Sequence, residues 1–310
     1  MDIFLWGADG KFDILGSSNH SIGLNDHFDR GVFMGQLRQL RVTGFLVQLF
    51  TSRTTIAIAI TAGMMGMAAC EALGQDAPKE HPLVKPLKIV RQSRKALDGV
   101  KDYTATFSKK ERLGRGGRQL LSQTMRMKFR EEPFSVYFFF QNKDAAGREV
   151  IFVNGRNNNQ LVVHEGSGIK SLVGTLTFAP TASEVMKENR YPITKVGLKN
   201  MVDKVIAQWE GESKFRESTV KYYNSAKLGN VDCMAIECSH PTPRRQFTYH
   251  MTRVYIDKKS KLLVRVEQYG WPSRAGQQPP IVEEFTYSDI KTNVGLRDAD
   301  FDRRNPQYNF

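Results

Sequence analysis

The chain is 310 residues long, with 40% hydrophobic, 10% aromatic and 25% charged residues, which excludes wholesale disorder. Twenty-five glycines and 12 prolines without a short period exclude collagen-like and low-complexity classes, and three cysteines exclude a disulfide scaffold. A single long apolar stretch excludes a multipass membrane protein, while 45 Lys+Arg against 32 Asp+Glu leave a net charge of +13 that any partner must suit.

Residues 1–33 show neither helical nor strand periodicity, and a true start at Met34 would account for them. Residues 34–74 read as an export signal. Arg38, Arg41 and Arg53 supply the basic flank, and the 17-residue run Thr54–Cys70 supplies the apolar segment. That run falls just short of the ~20 residues of a bilayer span. Three outcomes stay open: cleavage at Ala72-Leu73-Gly74, lipidation of Cys70 after the lipobox-like Met67-Ala68-Ala69, or an uncleaved anchor. Residues 75–85 form a polar tether, and 86–310 have the size of one domain.

Within that domain a helix is predicted over Pro86–Asp98, from Leu87, Val90, Arg94 and Leu97 at helical spacing before Gly99. From Tyr103 the period becomes two, and Leu113 to Gly117 turn the chain. The strand Thr124–Arg130 alternates Met125, Met127 and Phe129 with Arg126, Lys128 and Arg130, giving one apolar and one basic face. Further strands are predicted at Ser135–Gln141, Arg148–Val153, Gln160–His164 and Leu172–Phe178. VYFFF, EVIFV and LVV are apolar on both faces, so both sides of the sheet are expected to be covered there. A capping start at Thr181–Glu184 and a striped helix carrying Leu198, Met201, Val202, Val205, Ile206 and Trp209 interrupt the strands. Strands resume at Thr219–Lys227, Cys233–Ser239, Phe247–Asp257, Leu262–Tyr269 and Ile281–Ile290. The apolar parity switches within Phe247–Ile256, which predicts a bulge near Thr252-Arg253. The fold class is therefore α+β: an open, curved antiparallel sheet of ten or eleven strands covered by helices.

Cys233 and Cys238 lie five steps apart on one strand, ~16 Å, too far for a disulfide, and read as small buried hydrophobes. Ser167 sits in Glu165-Gly166-Ser167-Gly168, which is a turn and not a nucleophile elbow. The glycines after Leu113 precede no helix that would cradle a phosphate. His81, His164, His240 and His250 have no second ligand at metal-binding spacing, so no metal or cofactor is expected. Glu283 and Glu284 face opposite ways and cannot act as an acid/base pair. The reading is non-enzymatic. Arg126, Lys128 and Arg130 are candidates for lipid headgroups on an anionic membrane, with a solvated strand face as the plainer alternative; an exported protein seldom meets nucleic acid.

Gly147–Val153, Thr252–Asp257, and the ending from Glu284-Phe285-Thr286-Tyr287 to Asn293–Asp302 resemble a bacterial domain-of-unknown-function family of exported proteins. That family looks related to periplasmic lipoprotein carriers of the LolA/LolB type, and the resemblance spans roughly Leu83 to Phe310. It implies a LolA-like half-barrel around an apolar cavity for acyl chains, in the periplasm or at the membrane. Under that reading Met125, Met127, Phe129, Phe138, Phe140, Met201 and Val205 line the cavity, and the partner is a lipid or a lipoprotein acyl chain. The alternative is an envelope sensor or scaffold that binds another protein and carries no lipid. An open cavity against a filled core separates the two.

Overall fold

A computed structural model describes residues 80–114, 116–166, 174–274 and 276–310. The export signal, Cys70, residues 75–79 of the tether and the Ser167 turn lie outside them. Helix α1 (Val84–Lys95) leads into six strands: β1 (Asp102–Leu113), β2 (Gln119–Arg130), β3 (Ser135–Phe140), β4 (Glu149–Val153), β5 (Leu161–His164) and β6 (Thr175–Phe178). The short α2 (Ser183–Met186) and the longer α3 (Leu198–Glu212) follow. Five more strands end the domain: β7 (Thr219–Leu228), β8 (Val231–Ser239), β9 (Met251–Asp257), β10 (Leu263–Tyr269) and β11 (Ile281–Thr292).

All eleven strands make one open, curved antiparallel sheet, ordered β6-β5-β4-β3-β2-β1-β11-β10-β9-β8-β7. It is two meanders joined by a central pair of the first and last strands, in which Tyr103 faces Thr292 and Glu111 faces Glu283. Among the described residues no helix is long and apolar enough to cross a membrane.

Alternation sends Tyr103, Ala105, Phe107, Met125, Met127 and Phe129 to the inner face, where α1 and α3 cover part of the sheet. The stripe of α3 is buried, with Leu198, Val202 and Trp209 fully enclosed. Burying an indole of this size stabilises by a few kcal/mol. The start of α3 has no side-chain cap of its own. Its first amides are instead satisfied by the sheet: Gly197 N–H donates to the Tyr287 hydroxyl (3.1 Å) and Leu198 N–H to the Tyr103 hydroxyl (3.0 Å). Gly197 has φ 121°, and a Cβ there would meet the Phe129 ring at 2.8 Å, so both conformation and space require glycine. Arg94 to Asp203 (2.8 Å) and Arg91 to Glu210 (2.7 Å) tie α1 to α3.

Two local expectations are corrected. The bulge near Thr252-Arg253 is absent, because β9 starts only at Met251 and runs in register with β8 from there. Phe247 and Tyr249 precede the strand and are buried for other reasons, Phe247 by stacking on His240 and Tyr249 by its bond to Glu283. The other concerns α2, whose N-cap is Ala182 without a side-chain cap, since Ser183 Oγ turns to Glu184 instead.

Candidate functional site

The seven residues expected to line a cavity do come together on the inner face. Met125, Met127, Phe129, Phe138, Phe140, Met201 and Val205 belong to one continuous cluster and are each 1–8% exposed. A lining open to a ligand-sized void would be wetted in a ligand-free chain. These side chains are packed, Phe107 against Phe138 (5.9 Å between ring centres) and Tyr103 against Phe129 (4.8 Å). In this structure the seven residues are packed against one another and their neighbours on the inner face.

The rim of that layer is polar and satisfied. Glu283, 1% exposed, accepts from Arg190 (2.8 Å), Tyr191 (2.8 Å), Lys204 (2.7 Å) and Tyr249 (3.1 Å). Burial and the Glu283 charge push the Tyr191 and Tyr249 phenols up. Lys109 donates to Glu111 (2.7 Å) and the Glu188 carbonyl (2.9 Å), and burial pulls its ammonium down despite Glu111. These bonds pin the α2–α3 connection and α3 to the sheet. Glu284 faces the other side and pairs with Lys110 (3.2 Å), so the two glutamates are separated as alternation requires.

On the outer face, two of the three cations of the β2 row are paired within the chain. Residues 296–310 return across β2–β5 as a strap, placing Phe301 in a small cluster with Tyr137, Ile151 and Val153. Lys128 binds Asp300 (2.8 Å) and Arg130 binds Asp298 (2.9 Å). Lys128 also lies over the Tyr308 ring and Arg130 over that of Phe301, while Arg126, still exposed, lies over Phe139. Burial alone would lower Lys128, but its bonds to Asp300 and Tyr308 hold it above its ordinary value. Hydrogen bonds from Arg130 and Arg156 hold Asp298 below the usual aspartate value. Two of the three candidate headgroup cations are therefore neutralised from within.

The outer face of β8–β11 carries no such strap among the described residues. One in-register row runs across it: Glu237, Arg253, Glu267, Glu284 and Lys110 occupy successive strands β8, β9, β10, β11 and β1. Arg253 bonds Glu237 (2.6 Å) and Glu267 (3.3 Å), and Arg265 bridges the facing carboxylates Glu267 (2.8 Å) and Glu284 (2.9 Å). Beside this row opens a groove of ≈ 650 Å³, walled by Tyr223, Tyr255, Arg253 and Lys227 over Ala226 and Ala235. A register shift between Tyr223 and Ala226 splays the edge strand β7 here, and Tyr223 stays 42% exposed. Sequence reasoning missed this groove, because β7 is only half apolar and its bulge has no glycine to mark it.

It also missed a buried trio. Glu212, Cys238 and His240 place their donor atoms within 4.8 Å of one another. Cys238 and Cys233 are free buried thiols; burial, helped by Glu212, pushes the Cys238 thiol up. Spacing along the chain gave His240 no partner, but the fold brings two donor types to it: Cys238, two residues earlier near the end of β8, and Glu212 at the end of α3.

Residues 100–310 match the family model described as "Protein of unknown function (DUF1571)". No curated protein matches the chain. Among solved structures, the chain is similar to lipoprotein LppX of Mycobacterium tuberculosis, at 15% identity over 68% of this chain and 96% of that one, TM-score 0.39. It is also similar to a putative outer membrane lipoprotein-sorting protein domain from Vibrio parahaemolyticus, at 12% identity over 70% and 96%, TM-score 0.33. A third is the MucA/MucB complex of Pseudomonas aeruginosa, at 10% identity over 70% and 60%, TM-score 0.33.

Proposed function

Since the chain belongs to the DUF1571 family, whose description assigns no activity, its role is read from its own surfaces, and we propose a non-catalytic, exported module that docks an extended, acidic segment of another envelope protein in the β7–β9 groove. The observation that supports this best is the contrast between a filled inner layer and an open outer groove. An exposed Tyr223 and a half-buried Tyr255 beside an arginine are the residue types that anchor protein interfaces. Lys227 on the wall and the net charge of +13 favour an acidic partner by steering its approach. Lys221, Lys227 and the bulge also discourage indiscriminate strand addition at the β7 edge, which leaves the groove as the place of contact.

A second reading keeps an acyl chain inside the molecule. It draws on the soft methionine and phenylalanine content of the inner layer and needs α1 and α3 to lift away. A C16 chain at ~0.8 kcal/mol per methylene offers ~12 kcal/mol gross, before the cost of opening that layer and breaking the Glu283 bonds.

The test puts a photo-crosslinking residue at Tyr223, and at Phe139 as control, in the full chain in its host. The expected result is one envelope protein crosslinked from Tyr223 only, whose purified acidic segment binds the wild type and at least tenfold more weakly Tyr223→Ala. A stoichiometric fluorescent fatty acid bound by the wild type, with no partner crosslinked, overturns the proposal in favour of the acyl-chain reading. Intact-mass analysis of the same material reads the amino terminus: a soluble cytoplasmic species retaining Met1 removes the export part.

A further inference from the structure

We propose that Glu212, Cys238 and His240 form a binding site for one divalent transition-metal ion of the zinc class. Glu212 is the last residue of α3, Cys238 lies near the end of β8, and His240 lies just past it, still hydrogen-bonded to His250 of the neighbouring segment (2.9 Å). The three are 2%, 1% and 2% exposed. Thiolate, imidazole and carboxylate are the donors zinc prefers.

The spacing fits the ion. With ordinary zinc–ligand bond lengths, a tetrahedral site sets about 3.4 Å between a nitrogen and an oxygen donor and about 3.6 Å between a sulfur and an oxygen donor. Here His240 Nε2 lies 3.3 Å from Glu212 Oε2, and Cys238 Sγ lies 3.9 Å from the same oxygen. The Cys238 to Glu212 pair needs only a small contraction, and all the donor atoms lie within 4.8 Å of one another. The remaining tetrahedral position is left for a water molecule.

The surroundings orient the donors. Gln208 Nε2 donates to Glu212 Oε1 (2.8 Å), which leaves Oε2 for the ion, and Gln208 is itself held by Gln268 (2.8 Å) and Thr252 (2.9 Å). Ser218 Oγ sits 3.5 Å from His240 Nδ1, which leaves Nε2 on the ion's side, and the ring is stacked on Phe247 at 3.7 Å. Such outer partners fix ligand orientation in metal sites. Loading is balanced simply: the ion binds the Cys238 thiolate, the neutral His240 imidazole and the Glu212 carboxylate, and the thiol proton leaves to solvent.

The experiment uses the full, untagged chain stripped by a chelator. One equivalent of Co²⁺ is expected to give a thiolate-to-cobalt charge-transfer band that one equivalent of Zn²⁺ erases. Cys238→Ser should lose the band, and Gln208→Ala, which keeps all three donors, should weaken Zn²⁺ binding about tenfold. A wild type that stays silent with Co²⁺, or a Cys238→Ser variant that keeps the band, overturns the site and leaves the trio a hydrogen-bonded contact. Should Cys238→Ser fail to fold, the wild-type spectrum and Gln208→Ala decide.

Discussion

The two halves of the sheet close their outer faces by different means. Over β2–β5 the chain lays its own end as a strap, with Phe301 at 2% exposure among Tyr137, Ile151 and Val153, so these strands are buried on both sides. Over β8–β11 the strands cover themselves with a row of ion pairs, in which Glu267 and Glu284 are under 10% exposed because Arg265 and Arg253 lie across them. The apolar cover gains stability from area removed from water and leaves nothing to bind. The charged cover gains little net energy, since desolvation offsets attraction, but its pattern favours one register and it leaves room for a groove.

The largest expected effect tests the double burial. Met127→Arg places a charge without a partner in a layer closed on both sides and should cost more than ~4 kcal/mol, enough to unfold the domain. The same residue introduced on the other half, as Tyr255→Arg, should leave the denaturation midpoint nearly unchanged. A folded Met127→Arg would mean the inner layer holds spare volume and would restore the cavity. Trp209→Ala and Phe301→Ala follow at ~3–5 kcal/mol each, read from urea midpoints. Loss of Phe301 should also free the strap, giving proteolytic cleavage between residues 296 and 310. Arg265→Gln should cost ~2 kcal/mol by leaving two carboxylates face to face, and added salt should restore part of it.

Acid should undo the strap. Asp298 is held down by hydrogen bonds to Arg130 and Arg156; Asp300 resists the upward pull of partial burial through its bonds to Lys128 and Arg297. Groups whose folded pKa is lowered contribute stability above their unfolded value, and lose it as pH falls through the folded one. NMR shifts of Tyr308 should therefore hold from neutral pH down to the ordinary aspartate value of 3.8 and move only below it. The smallest effect on stability belongs to Tyr223→Ala, within ~0.5 kcal/mol, although it should abolish docking.

Much of the strapped half was legible in the sequence. Two-sided apolar strands such as VYFFF and EVIFV announce a cover on each face, and strand ends were placed within a residue or so for β3, β4 and β10. What covers the outer face was not legible, because the strap meets β2 only through the fold, from a stretch with no periodicity. Lys128 reads as a free cation until Asp300 is brought beside it. The row on the other half was hidden for a related reason: each strand contributes a single charge to it, and only register lines them up. For the Cys238–His240 pair the signal was present, two residues apart at the end of a strand, but its third member comes from the end of α3.

The seam between β1 and β11 has a consequence for synthesis. Its partners sit near opposite ends of the domain, Tyr103 opposite Thr292, so the middle of the sheet is the last part to find its mate. Until residues 281–292 leave the ribosome, β1 and β10 lack the strand between them and the α3 layer cannot be sealed, since the Tyr287 hydroxyl that receives Gly197 N–H is also missing. Topology of this kind folds slowly. A polypeptide that cannot finish folding until its final strand is made remains a threadable strand for nearly all of its translation.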